Sequence, residues 1–162
     1  MRHRKPRPAF TDGVIDLYPI DLGEPDPGLG FGDTFDFLIA PHGVRAEAGQ
    51  ISIRMGESPA IAYFGHIGYH IDPPYRGHGW AERACRLLLP VMHRAGKEKV
   101  LITADPTNAA SRRTCEKLGA VLLDIVPVPP DMQRRWQLSA VKCRYVVEGE
   151  ATTDFPDLIA MD

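Results

Sequence analysis

The stretch Ile71 to Ala95, IDPPYRGHGWAERACRLLLPVMHRA, narrows most what this chain can fold into. An apolar run ends at Pro73 and Pro74, crosses a turn with two glycines, and enters a segment whose small and apolar residues recur at three- and four-residue steps. That spacing predicts a helix over 79–95, stopped by Gly96 and kinked near its end by Pro90. The turn Arg76-Gly77-His78-Gly79-Trp80-Ala81 thus stands at a strand-to-helix junction. The first amides of a helix lack intrahelical partners and the helix dipole adds positive potential, so such a turn is a natural seat for a phosphate. Arg76 adds a fork of donors suited to phosphate oxygens.

Two familiar phosphate turns do not fit. A nucleoside triphosphatase loop needs GxxxxGK followed by Ser or Thr, which the chain lacks. A dinucleotide fingerprint needs a third small residue three positions after Gly79, where Glu82 stands instead.

With 162 residues, 44% of them hydrophobic, the chain is the size of one domain with its own core. Its net charge of -2 gives no general field for nucleic acid or an anionic membrane, so any anion site must be local. Cys85, Cys115 and Cys143 are odd in number and widely spaced, which suggests neither disulfides nor a zinc knuckle and fits a reducing cytoplasm. His66 and His70 would lie about 13 Å apart on one strand, too far to bind one metal. Near the start, Arg2, Arg4, Lys5 and Arg7 are interrupted by Pro6 and Pro8, and no apolar segment of signal or membrane-spanning length follows. The expectation is a soluble, untargeted protein.

In chain order, residues 1–12 read as a flexible N-terminus, 13–148 as one domain and 149–162 as an acidic C-terminal tail. Strands are predicted over 14–22, 34–40, 50–55, 60–71, 99–104, 120–126 and 141–147. Gly65 and Gly68 interrupt the run at 60–71, a sign of a bulge or of close approach by another backbone or a ligand. Residues 23–32 are a glycine- and proline-rich loop or a single helical turn, and 127–138 a long connection. Asn108 caps a short helix that ends at Gly119.

Arg76-x-x-Gly79-x-Ala81 after an apolar strand, followed by Asn108 to Gly119 with its Glu116-Lys117-Leu118-Gly119 ending, resembles the two signatures of the GNAT superfamily of acyl-coenzyme A N-acyltransferases. His66-Ile67-Gly68-Tyr69 looks like the branch that includes the ribosomal-protein N-terminal acetyltransferases. The resemblance implies an α+β fold: a twisted, largely antiparallel mixed sheet of roughly six to seven strands, splayed between the fourth and fifth and flanked by helices. It implies acetyl-CoA as cosubstrate and no metal. The backbone of Gly77, His78, Gly79, Trp80 and Ala81, with Arg76, would hold the pyrophosphate; Ile71, Asn108 and Ser111 would hold the pantetheine arm. Arg112 and Arg113 would reach the adenosine 3'-phosphate or form a solvated face.

Transfer to an amine needs a proton acceptor and help for the departing thiolate. His66 is the candidate base, and its alternative is a half-buried strand histidine bonded to a neighbour; Glu57 and Glu47 are substitutes. Where many members carry a tyrosine, this chain has Cys115, as a candidate acid or as a small packing residue, with Ser111 or Tyr69 as replacements. The acceptor would be an amine-bearing small molecule or a peptide N-terminus, with no nucleic acid or membrane partner. A noncatalytic acyl-CoA sensor with the same fold is the rival, and a homodimer through the C-terminal strands is compatible with either.

Overall fold

Alternation of apolar and polar residues builds the first sheet. In the computed structural model, which describes residues 7–149, β2 (Ile15–Ile20), β3 (Thr34–Pro41), β4 (Gly49–Arg54) and β5 (Ile67–Ile71) form an antiparallel meander. Along β4, Ile51 and Ile53 enter the core while Gln50, Ser52 and Arg54 face the other way. A two-residue strand, β1 (Phe10–Thr11), pairs with β2 inside the stretch expected to be flexible. It is held by the Ala9 N–H on the Leu17 carbonyl and by edge-on contact of Phe10 with Phe37. The acidic tail beyond residue 149 lies outside the described residues.

The run expected as one strand over 60–71 is two elements. Ile61–Phe64 form a helical turn, α1, and β5 begins only at Ile67. Ile61 is buried with Leu29, Phe31 and Ala60, and Phe64, Leu101 and Trp136 pack against them, so tertiary contact selects the helix. Gly65 turns the chain at a φ of 78°, where an added Cβ would stand 2.9 Å from the Leu101 carbonyl oxygen.

The second sheet has the order β6 (Lys99–Ala104), β8 (Val141–Glu148), β7 (Val121–Pro127), all antiparallel, so the strands form two sheets rather than one. β7 is its outer edge, with Val121, Leu123 and Ile125 exposed. The sheets meet at His66. Its N–H donates to the Leu101 carbonyl at 2.7 Å, and its ring Nδ1 accepts the Leu101 N–H at 2.8 Å. Beyond this point β5 and β6 part. That is the splay expected between the two strands, with its vertex at a side chain.

Helix α2 (Trp80–Arg94) buries Ala84, Cys85, Leu88 and Met92 against the core. Pro90 leaves it continuous to Arg94, because the proline lies on the exposed face. Helix α3 (Ala109–Lys117) starts where the Asn108 side chain accepts the Ser111 N–H, and the connection after β7 contains a further short helix, α4 (Pro130–Trp136). No helix among the described residues is long and apolar enough to cross a membrane.

Because Nδ1 accepts, the proton of the neutral ring sits on Nε2, which donates to Glu57 at 2.8 Å. Burial holds the His66 imidazole below its ordinary value, against the pull of Glu57. The fold uses the neutral ring, so its contribution is complete above about pH 6.5 and is lost as pH falls through the lowered folded-state value. His66→Ala is expected to cost about 2 kcal/mol at neutral pH. Urea denaturation across a pH series should also show the variant losing less stability than the parent below about pH 6.5.

Candidate active site

Two clefts open where the sheets part. The first, about 530 Å³, lies between the turn after β5 and helix α3. Gly77 and Gly79 adopt φ values of 88° and 72°, which bring the backbone round into α2. Gly79 is the N-cap and no side chain caps it, so the first amides of α2 remain available to an anion. Tyr75 stacks on Trp80 at 5.4 Å and braces the turn. Arg76 donates from Nε to the Ile71 carbonyl at 2.8 Å, tying the turn to the end of β5. Ile71, Arg76, Gly77, Gly79, Trp80, Ala81, Asn108 and Ser111 all line this cleft as expected, whereas His78 lines a neighbouring groove with Asp12 and Arg83. Glu82 also lines the cleft, and Arg86 neutralises it at 2.9 Å.

On α3 the two arginines divide. Arg112 turns inward to the Tyr145 hydroxyl at 3.0 Å, while Arg113 lines the cleft together with Lys117. Unpaired amides, Arg76, Arg113 and Lys117 make a seat that fits the phosphates of coenzyme A.

The second cleft, about 430 Å³, is lined by the polar face of β4, by Gly68 and His70 of β5, and by Asp105 and Lys142 of the second sheet. The clefts share Tyr69, His70, Asn108 and Ser111. Across the junction the Tyr69 hydroxyl meets Ser111 Oγ at 2.8 Å. Burial raises the Tyr69 phenol above its ordinary value, so it stays protonated at neutral pH. The His70 ring is exposed, with Nε2 3.5 Å from the Asp72 carboxylate.

The sequence-derived candidates separate sharply here. His66 has both ring nitrogens bonded, to Leu101 and Glu57, and lines neither cleft; it joins the sheets and has no lone pair to receive a substrate proton. Glu57 is tied to His66 and to Lys97 at 2.6 Å, and Glu47 accepts from Gln50 at the surface. Cys115 is fully buried and lines neither cleft. Burial pushes its thiol up to about 12, so it packs rather than donates. Ser111 stands at the junction, and Tyr69 brings a phenol there from β5 in place of the missing helix tyrosine. Among the described residues no group of three His, Cys, Asp or Glu side chains is placed to hold a metal ion.

Residues 15–121 match the family model of the acetyltransferase (GNAT) domain. The chain belongs to the GNAT acetyltransferase family. No curated protein matches it. Among solved structures it is similar to the microcin C7 self-immunity acetyltransferase MccE in complex with acetyl-CoA and AMP, at 17% identity and a TM-score of 0.57 over 72% of this chain and 61% of that one. It is also similar to RimL, a ribosomal L7/L12 alpha-N-protein acetyltransferase in complex with coenzyme A, at 19% and 0.56 over 74% and 64%. The ribosomal-protein-S5-alanine acetyltransferase from Vibrio fischeri gives 19% and 0.57 over 76% and 64%. These likenesses are of fold, and the chain spans under two thirds of the length of all three.

Sequence reasoning missed His70, Arg54, Lys117 and Lys142. The His70-Ile71-Asp72 spacing, which sets an acid two residues from the imidazole on one strand face, was the available signal for the first. The polar alternation of β4 was the signal for the second.

A Cβ at Gly79 would meet no atom within 4 Å, but at a φ of 72° an L side chain strains the turn, so Gly79→Asp adds that strain to a carboxylate placed in the anion seat, and Gly79→Asn carries the strain without the charge. For Gly79→Asp, coenzyme A affinity measured by calorimetry is expected to fall at least about a hundred-fold, with the circular dichroism spectrum retained.

Proposed function

We propose that this protein is an acetyl-CoA-dependent N-acetyltransferase acting on an amine in a ternary complex. The meeting of the two clefts at Tyr69, His70, Asn108 and Ser111 carries the reading: a donor lying in one cleft and an acceptor in the other would touch only there. Acetyl-CoA, when bound, supplies an activated thioester carbonyl.

The amides of Gly77 to Ala81 take the pyrophosphate, with Arg113 and Lys117 on the outer phosphate. The edge of β5 that faces β6 has no strand partner beyond His66 and is free to bond the arm. The amine nitrogen forms a bond to the acyl carbon, the carbon–sulfur bond breaks, and the sulfur takes the electron pair. His70, oriented by Asp72, accepts the amine proton. Ser111, held by the Tyr69 hydroxyl at 2.8 Å, donates a hydrogen bond to the sulfur as it gains charge, and the proton taken by His70 passes to solvent, from which the thiolate is protonated. The noncatalytic reading rested on the missing tyrosine and on the short first connection; the Tyr69–Ser111 pair bears on the first of these by bringing a phenol to the junction from β5.

His70→Gln is expected to lower kcat/KM about a hundred-fold. Ser111→Ala and Tyr69→Phe should lower kcat more than they raise KM. Coenzyme A release in steady state, measured beside calorimetric binding, checks these outcomes. A His70→Gln variant with the parent's activity would move the base elsewhere.

A further inference from the structure

We infer that the acceptor carries a carboxylate a few bonds from its amine, gripped by Arg54 in the acceptor cleft. This rests on the N-acetyltransferase reading of the site. Arg54 projects from the polar face of β4 into the cleft and is half-buried. Its Nη1 donates to the carbonyls of Phe64 and Gly65, both at 3.1 Å, at the end of α1. The rings of Phe31 and Phe64 flank Cζ at 4.6 and 5.7 Å. These contacts fix the guanidinium but use only part of its fork. Nε and Nη2 make no hydrogen bond among the described residues, and Arg54 lines the cleft. The Nε–Nη2 edge is the one that takes a carboxylate with two parallel hydrogen bonds.

The charge balance of the cleft points the same way. No carboxylate among the described residues stands within ion-pair distance of Arg54; Asp36 acts on it from farther off and already accepts from the Ser52 hydroxyl. The cleft's other fixed cation, Lys142, is paired with Asp105 at 2.7 Å. One uncompensated, half-buried positive charge between aromatic walls suits a monoanion, because the low local dielectric strengthens the pair while a dianion would remain half-unpaired.

Gly68 sets the reach. A Cβ there would stand 2.6 Å from Nη2, so the guanidinium rests against the strand at Gly68. His70 lies two residues on, about 7 Å along β5. An amine at His70 and a carboxylate at Arg54 are therefore spanned by a short molecule: a free amino acid, or the N-terminal acidic residue of a peptide.

The test offers β-alanine, aspartate and a tripeptide beginning with aspartate, each beside its carboxamide counterpart, to the coenzyme A complex in calorimetry and to the acetyl-CoA-loaded enzyme in turnover. The parent protein should favour the carboxylates by about ten- to a hundred-fold, and Arg54→Gln should reduce that preference to within about three-fold at unchanged coenzyme A affinity. Gly68→Ala, which keeps Arg54 but displaces its fork, should do the same, and serves if Arg54→Gln does not fold. Preference for the tripeptide or for the free acids identifies the source of the carboxylate. Equal treatment of acids and amides by the parent, or an undiminished preference in the variants, overturns the proposal. Coenzyme A binding with no amine turned over would overturn the transferase reading instead, and acid-selective binding in calorimetry would then decide Arg54 by itself.

Discussion

The two clefts of the candidate site open where the sheets part at His66. Neighbouring strands ordinarily satisfy one another with backbone groups alone, and a sheet that splits leaves donors and acceptors orphaned at the parting. Here the imidazole Nδ1 stands in for a carbonyl and takes the Leu101 N–H, while the His66 N–H takes the Leu101 carbonyl. The last shared rung of the two sheets is thus closed by a side chain, and β5 and β6 diverge beyond it. Glu57 and Lys97 anchor the far side of the ring. A residue whose chemistry suggests proton transfer is instead the hinge pin, because both of its nitrogens are occupied.

The cavity beyond the pin is lined from both sheets. Its two arms treat charge differently. Toward α2 the positive potential comes from unpaired amides with Arg113 and Lys117 at the margin, a surface suited to a polyphosphate. Toward β4 it comes from one guanidinium flanked by Phe31 and Phe64. A chain with a net charge of -2 can thus hold anions at two places without attracting polyanions in general. Between the arms, Tyr69 and Ser111 supply two hydroxyls joined by a hydrogen bond.

How much of this was legible in the sequence follows from how local each feature is. The turn at 76–81 and its helix could be read directly, since glycine placement and apolar periodicity are properties of neighbouring residues. The α3 cap could be read for the same reason: Asn108 bonds an amide three residues away. The segment 60–64 could not. Its apolar run suits a strand or a helical turn equally, and packing of Ile61 beside Leu29 and Phe31, far off in sequence, decides for the helix. Of the two glycines of that region, Gly65 meets the close backbone approach that was expected, from Leu101, whereas Gly68 is approached by the Arg54 side chain rather than by backbone or a ligand.

The sequence by itself determined the family, the turn at 76–81 and the order of most elements, because each rests on motifs and periodicities within a few residues. The tertiary structure alone decided which chemical groups meet. Tyr69 and Ser111 are 42 residues apart and come together only because the sheets part above His66. Of two histidines four residues apart in one run, the fold buries His66 and leaves His70 at the cleft. Side-chain direction depends on where the strand begins and which neighbour it pairs with, and neither is written in the residues of the strand itself.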